Sequence, residues 1–270
     1  MLITLVMMVA SPTAAAPQRV VSASLCADQY VLSLADRDQV AALSWQSRDA
    51  VSLAPDWARD LPQAAPDAER LLMLRPDLVV FGPGEGGRAQ TMLQRLGVPT
   101  HEISWTESFD GVASNIEALA AALDRPEAGA ARLDDLAARR TELQRRAEGR
   151  ETAPDLLYLT PAGGTSGAGT YADAAMRLAG GENLLADRQG WFTAQPERLT
   201  ALKSDMVVAS YFREGYASQQ FRRARHPAMQ RILAAPRAEI PGGLWPCAGP
   251  RLIEAAERMA DTMDMQASKR

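Results

Sequence analysis

Trp45, Trp105, Trp191 and Trp245 each follow a run of β-forming residues or stand in a connection between elements, and Tyr171 and Tyr211 are placed the same way. An indole on such a loop offers a flat apolar face with one N–H donor, and a phenol adds a hydroxyl. That chemistry suits contact with a large planar or ring-shaped molecule better than contact with an amino acid or a sugar. Arg48 in "WQSRDA" and Arg213 in "SYFREG" also lie beyond predicted strands. A guanidinium there can pair bidentately with a carboxylate. Trp57, in "APDWARDLP", reads as structural.

Two cysteines, Cys26 at the head of a predicted helix and Cys247 just before the last one, admit three readings. An even count in an oxidising compartment favours a disulfide, which would restrict opening between the two halves of the chain. Two facing thiols could instead contact a metal or a chelate, since a helix N-terminus favours thiolate. They could also be inert. The two histidines, His101 and His226, show no metal-ligand spacing, and neither is expected to act.

Two glycine-rich turns imitate catalytic motifs. "GPGEGG" (Gly82 to Gly87) fits G-x-G-x-x-G, follows a strand, precedes a helix and has Glu102 after the next strand. It supports an alternative reading, a nicotinamide-dependent oxidoreductase using this turn. Against that, the turn is not on the first strand, and Pro83 removes a backbone donor where a phosphate would need one. "GGTSGAG" fails as a nucleophile elbow because Ala168 stands at the last glycine position. No catalytic residue and no resident cofactor are expected.

These residues need elements to hold them. "RVVSAS", "VAALS", "DLVVF" and "VPTHEI" read as strands separated by helical stretches, which is the pattern of parallel β-α-β units. Phe109 to about Gly149 carries no strand signal; one helix ends near Leu123 and a second starts at Pro126, a residue suited to a first helical turn. After Pro154 the alternation resumes with "DLLYL", "DMVVAS" and "AEI", closing on a helix from about Pro250 to Met263. Most telling is a repeated phrase: "ERLLMLRPDLVVFG" from Glu69 and "ERLTALKSDMVVAS" from Glu197 are one helix-into-strand unit written twice. The fold class is therefore α/β, with two Rossmann-like α/β lobes joined by a single long α-helix and a ligand cleft between them. In open parallel sheets ligands meet the loops beyond the carboxyl ends of the strands, and two such sets of loops can face each other.

At 270 residues, 47% apolar and 23% charged, the chain has the composition of a globular protein large enough for two lobes. A net charge of −4 gives no basic footprint, so nucleic acid is excluded as an expected partner. Residues 1–16 run from an apolar stretch, Leu2 to Ala10, into small residues, as a secretory leader does. The expected divisions are 1–16 leader, 17–108 first lobe, 109–150 linking helices and 151–266 second lobe.

"RVVSASLCADQ", the two Glu-Arg-Leu phrases and "LWPCAGPRLIEAAERMA", in that order, resemble the periplasmic substrate-binding proteins of the helix-linked kind, which serve ATP-driven importers of iron chelates, haem and cobalamin. The resemblance implies an exported, monomeric, non-enzymatic protein of the periplasm. Its cargo would be a small-molecule metal chelate, and its partners the permease subunits of an ABC importer. It also implies that Glu69 and Glu197, at the matching positions near each lobe tip, dock onto basic residues of the permease. Glutamate at a helix N-terminus is favoured by the macrodipole as well. The cleft residues expected on this basis are Cys26, Trp45, Arg48, Trp105, Tyr171, Trp191, Tyr211, Arg213, Trp245 and Cys247.

Overall fold

The structure, a computed structural model, describes residues 15–211 and 225–268. The first lobe is built on β1 (Val20–Ser22), β2 (Val40–Ser44), β3 (Gln63–Ala64), β4 (Leu78–Phe81) and β5 (Thr100–Glu102). They pair in the order β3-β2-β1-β4-β5, every pair parallel. β1 and β4 are buried along their whole length, so both sheet faces must be covered. Helices α1 (Leu25–Leu34), α2 (Asp56–Arg59), α3 (Ala68–Met73) and α4 (Gly87–Arg95) are the connections between these strands. Ser24 starts α1 by accepting from the Ala27 amide at 3.1 Å, and Asp67 starts α3 by accepting from Arg70 at 3.1 Å.

Two helices follow, α5 (Phe109–Ala122) and α6 (Pro126–Glu148). Pro126 opens α6, where its missing amide costs nothing, and the helix runs 23 residues, about 35 Å. The second lobe contains β6 (Asp155–Leu159), β7 (Gly164–Ser166), α7 (Tyr171–Leu178), β8 (Glu182–Asn183), β9 (Trp191–Thr193), α8 (Pro196–Leu199), β10 (Met206–Ser210), α9 (Pro227–Leu233), β11 (Arg237–Ile240) and α10 (Leu252–Ala267). Four strands form a parallel sheet, β11-β10-β6-β8, while β7 and β9 pair antiparallel as a separate ribbon. The repeated phrase is seen directly: α3 leads into β4, and α8 leads into β10.

One apolar core runs through both lobes and the link, from Tyr30 and Leu43 past Ile116 and Leu143 to Tyr158, Met176, Trp245 and Met259. Along its outside, α6 is laced to α10: Arg139 grips Glu257 at 2.7 and 2.6 Å, Arg146 reaches Asp261 and Asp264, and Arg150 reaches Asp264. A link packed and paired in this way is a strut.

Candidate functional site

Segments that follow the strands of the two lobes touch one another. Contacts across the gap begin at its floor, where Cys26 at the head of α1 is bonded to Cys247, Cα to Cα 5.6 Å. Beside this bridge Gln29 Nε2 donates to the Gly243 carbonyl at 3.0 Å and the Tyr30 hydroxyl donates to the Ala248 carbonyl at 2.9 Å. Gly243 is required here: a Cβ on it would stand 2.2 Å from the Val51 carbonyl oxygen. The open readings of the cysteines therefore resolve to a disulfide between the lobes, and the reading of ligand-contacting thiols is corrected.

Just under this floor lies Asp28, 1% exposed, which accepts from the Ser44 amide at 2.9 Å and the Ser44 hydroxyl at 2.6 Å. Burial pushes its carboxyl up to about 6, with the serine hydrogen bonds pulling the other way. Glu85 is raised by the same cause, with a hydrogen bond to Ser24 pulling the other way.

Above the floor four rings meet. Tyr158, on β6, packs edge-on against Trp191 at 5.6 Å and Trp245 at 5.4 Å. Tyr171, in the first turn of α7, lies 4.7 Å from Trp191 and stacks on Trp245 at 6.2 Å. Such edge and offset arrangements are the preferred ones for aromatic pairs. Tyr158, Tyr171, Trp191, Phe192 and Tyr211 line a pocket of about 380 Å³ with Thr160, Gly164, Thr165 and Thr193. Burial raises the Tyr158 and Tyr171 phenols above their usual range, so both stay protonated donors at neutral pH. Tyr211 holds a left-handed backbone, φ 64°, directly after β10, a conformation that side chains adopt rarely and that here aims the ring over Gly242. A larger hollow of about 550 Å³ lies along α4 alone and involves no strand end.

Each expected residue can now be placed. Tyr171, Trp191 and Tyr211 are together in the pocket wall. Trp245 is a correction: it is fully buried behind Tyr158 and Tyr171, so it backs the wall and shows no face to the cleft. Trp191 is also not on a loop; it begins β9, 39% exposed. Trp45 and Trp105 stand exposed just past β2 and β5 on the first lobe's rim. Arg48 is exposed but turned onto its own loop, donating to the carbonyls of Arg59 and Leu61. Arg213 lies outside the described residues, as does all but the end of the 1–16 leader. Glu69 and Glu197 are exposed in the first turns of α3 and α8, and Glu197 faces His226 at 3.4 Å, a pairing that gives this histidine a neighbour the sequence did not announce. Glu102, the acid of the apparent dinucleotide turn, accepts from the Gly84 amide at 2.9 Å. The turn is thus satisfied from within.

Two participants carried no sequence signal. Tyr158 sat inside an ordinary-looking strand. Glu107, between β5 and α5, reaches across to the second lobe, accepting from the Tyr171 amide at 2.7 Å and from Trp191 Nε1 at 3.1 Å.

A model of the periplasmic binding protein family matches residues 20–237. The periplasmic heme-binding protein RhuT from Roseiflexus sp. RS-1 superposes with a TM-score of 0.72 at 20% identity, over 91% of this chain and 98% of that one. A periplasmic heme-binding protein from Pseudomonas aeruginosa gives 0.71 at 24%, over 90% and 91%. The vitamin B12-binding protein BtuF of Vibrio cholerae gives 0.68 at 21%, over 92% and 97%. No curated protein matches by sequence. At these identities the structural likeness speaks for the fold.

Proposed function

The chain belongs to the periplasmic binding protein family, and we propose that it captures a metal chelate between its lobes and delivers it to an ATP-driven importer. The cargo is of the ferric siderophore, haem or cobalamin kind; haem and vitamin B12 are the ligands named for several of its structural neighbours. The observation that carries this reading is the ring-lined pocket of Tyr158, Tyr171, Trp191, Phe192 and Tyr211 at the strand ends of the second lobe, facing the first. Aromatic walls with a few hydroxyl donors hold a large ring system by apolar area and fix its orientation with single hydrogen bonds.

The rest of the molecule serves that grip. Residues 17–108 and 151–266 are the two jaws, and residues 109–150 join them and limit how far they part. Trp45 and Trp105 add apolar surface on the opposite rim. Arg213 meets a carboxylate on a cargo that carries one, and Arg48 does so on leaving the Arg59 and Leu61 carbonyls. Glu69 and Glu197 dock onto basic permease residues, one from each lobe tip. The protein acts in the periplasm as an exported monomer and performs no catalysis; the oxidoreductase reading has no support.

Titration of the purified protein with haemin, cyanocobalamin and ferric ferrichrome, followed by tryptophan fluorescence and visible absorbance, tests this. One of the three should quench with saturation, and Trp191→Ala should weaken it by about 30-fold, the loss of one aromatic anchor. Saturable binding of a reduced nicotinamide dinucleotide with no response to any chelate would overturn it.

A further inference from the structure

The lobes are tied at two heights. At the floor the ties are the disulfide and the hydrogen bonds of Gln29 and Tyr30 to the Gly243–Ala248 segment, with Arg251 donating to the Leu53 carbonyl beside them. At the rim, among the described residues, the hydrogen bonds that tie the first lobe to α7 and β9 are the two accepted by Glu107. One carboxylate oxygen takes the Tyr171 amide, a first-turn N–H with no partner inside its own helix. The other takes the Trp191 indole N–H. Both donors belong to residues that line the aromatic pocket. Each bond is charge-assisted, and the carboxylate is partly buried, so the pair is worth more than a surface contact.

We propose that Glu107 is a rim latch, which holds the cleft shut over its aromatic pocket and must release Trp191 and Tyr171 before a cargo can seat. The disulfide fixes the floor and leaves this rim contact as the part that moves. The latch itself stands whatever the cargo is; only its effect on entry rests on the reading of the pocket as the cargo site. The covalent bridge and the strut limit how far the jaws can part, and one side chain sets whether the rim parts at all.

Two arms test it on the full mature protein with its disulfide intact. In the first, nitroxides are placed at Asp49→Cys in the first lobe and Lys203→Cys in the second, both exposed, and the distance distribution is measured by pulsed electron resonance without ligand. Glu107→Ala should broaden the distribution and add a longer component. Glu107→Gln, which keeps one acceptor oxygen, should lie between. Superimposable distributions would overturn the latch. In the second arm, haemin and cyanocobalamin are mixed with unlabelled protein, and association to Glu107→Ala should be about tenfold faster, the scale of losing a charge-assisted pair. Unchanged association of a probe that does bind would overturn the latch's control of entry. If neither probe binds either protein, the cargo assignment fails, and the distance arm still decides the latch.

Discussion

Cys26 and Cys247 stand 221 positions apart in the chain and bring the two lobes to a Cα separation of 5.6 Å. They lie at the floor of the contact between the lobes, with the buried Tyr30 and Trp245 beside them. Closing so long a loop removes much freedom from the unfolded chain, and a bridge of this kind contributes about 2–4 kcal/mol. The double variant Cys26→Ser/Cys247→Ser should therefore melt roughly 5–15 °C lower in calorimetry. Thiol titration of the unfolded parent without reductant should find no free thiol. Two free thiols would remove the bridge from the account.

Asp28 makes stability fall as pH rises. Its ordinary value is 3.8 and burial lifts it to about 6, so between those values the folded protein holds a proton that the unfolded chain gives up. Below about pH 3 both states are protonated and the group costs nothing; above about pH 7 it is ionised in both, and the cost, on the order of 3 kcal/mol, is complete. Urea unfolding at pH 4 to 7 should show this downward contribution in the parent and lose it in Asp28→Asn. Parallel pH profiles for the two proteins would contradict it.

The strut should feel salt. Arg139 and Glu257 form a two-point pair between α6 and α10, only about a quarter to a third exposed. Solvent screening limits such a pair to about 1 kcal/mol. Arg139→Ala should lower stability by that amount in dilute buffer and by less in about 1 M salt, where the screening length falls to roughly 3 Å. A deficit that grows with salt would point to lost packing instead.

Much of this architecture is legible in the amino-acid order, because the features that set it are local. Pro126 marks the start of α6 to the residue, and the phrase at Glu69 and Glu197 marks the same unit in each lobe. The β7–β9 ribbon is not legible: three-residue strands such as Trp191–Thr193 are too short to show a period. Nor is burial on a turn. Trp245 and Trp105 both follow strands, yet one is wholly enclosed and the other 63% exposed, since what covers a turn is decided by distant chain. Glu107 is the clearest case, a single acid whose partners are 64 and 84 positions away.

Delivery should depend on the two exposed glutamates and capture should not. Glu69→Lys/Glu197→Lys reverses two exposed charges on residues that do not line the ring pocket. Uptake of a labelled cargo by cells carrying the matching importer should fall to background, while cargo affinity in solution changes by less than about twofold, as expected for exposed sites outside the contact. A matching loss of affinity would show that these residues belong to the cleft.

The most direct measurement is a thermal-shift series on the mature protein with haemin, cyanocobalamin, ferric ferrichrome and a nicotinamide dinucleotide. A ligand at a hundredfold excess over its dissociation constant stabilises the folded form by about 2.7 kcal/mol. One chelate should raise the melting temperature by several degrees, and Trp191→Ala should erase most of that rise. No shift with any chelate, or a shift with the dinucleotide that survives Trp191→Ala, would contradict capture between the aromatic wall and the opposite rim.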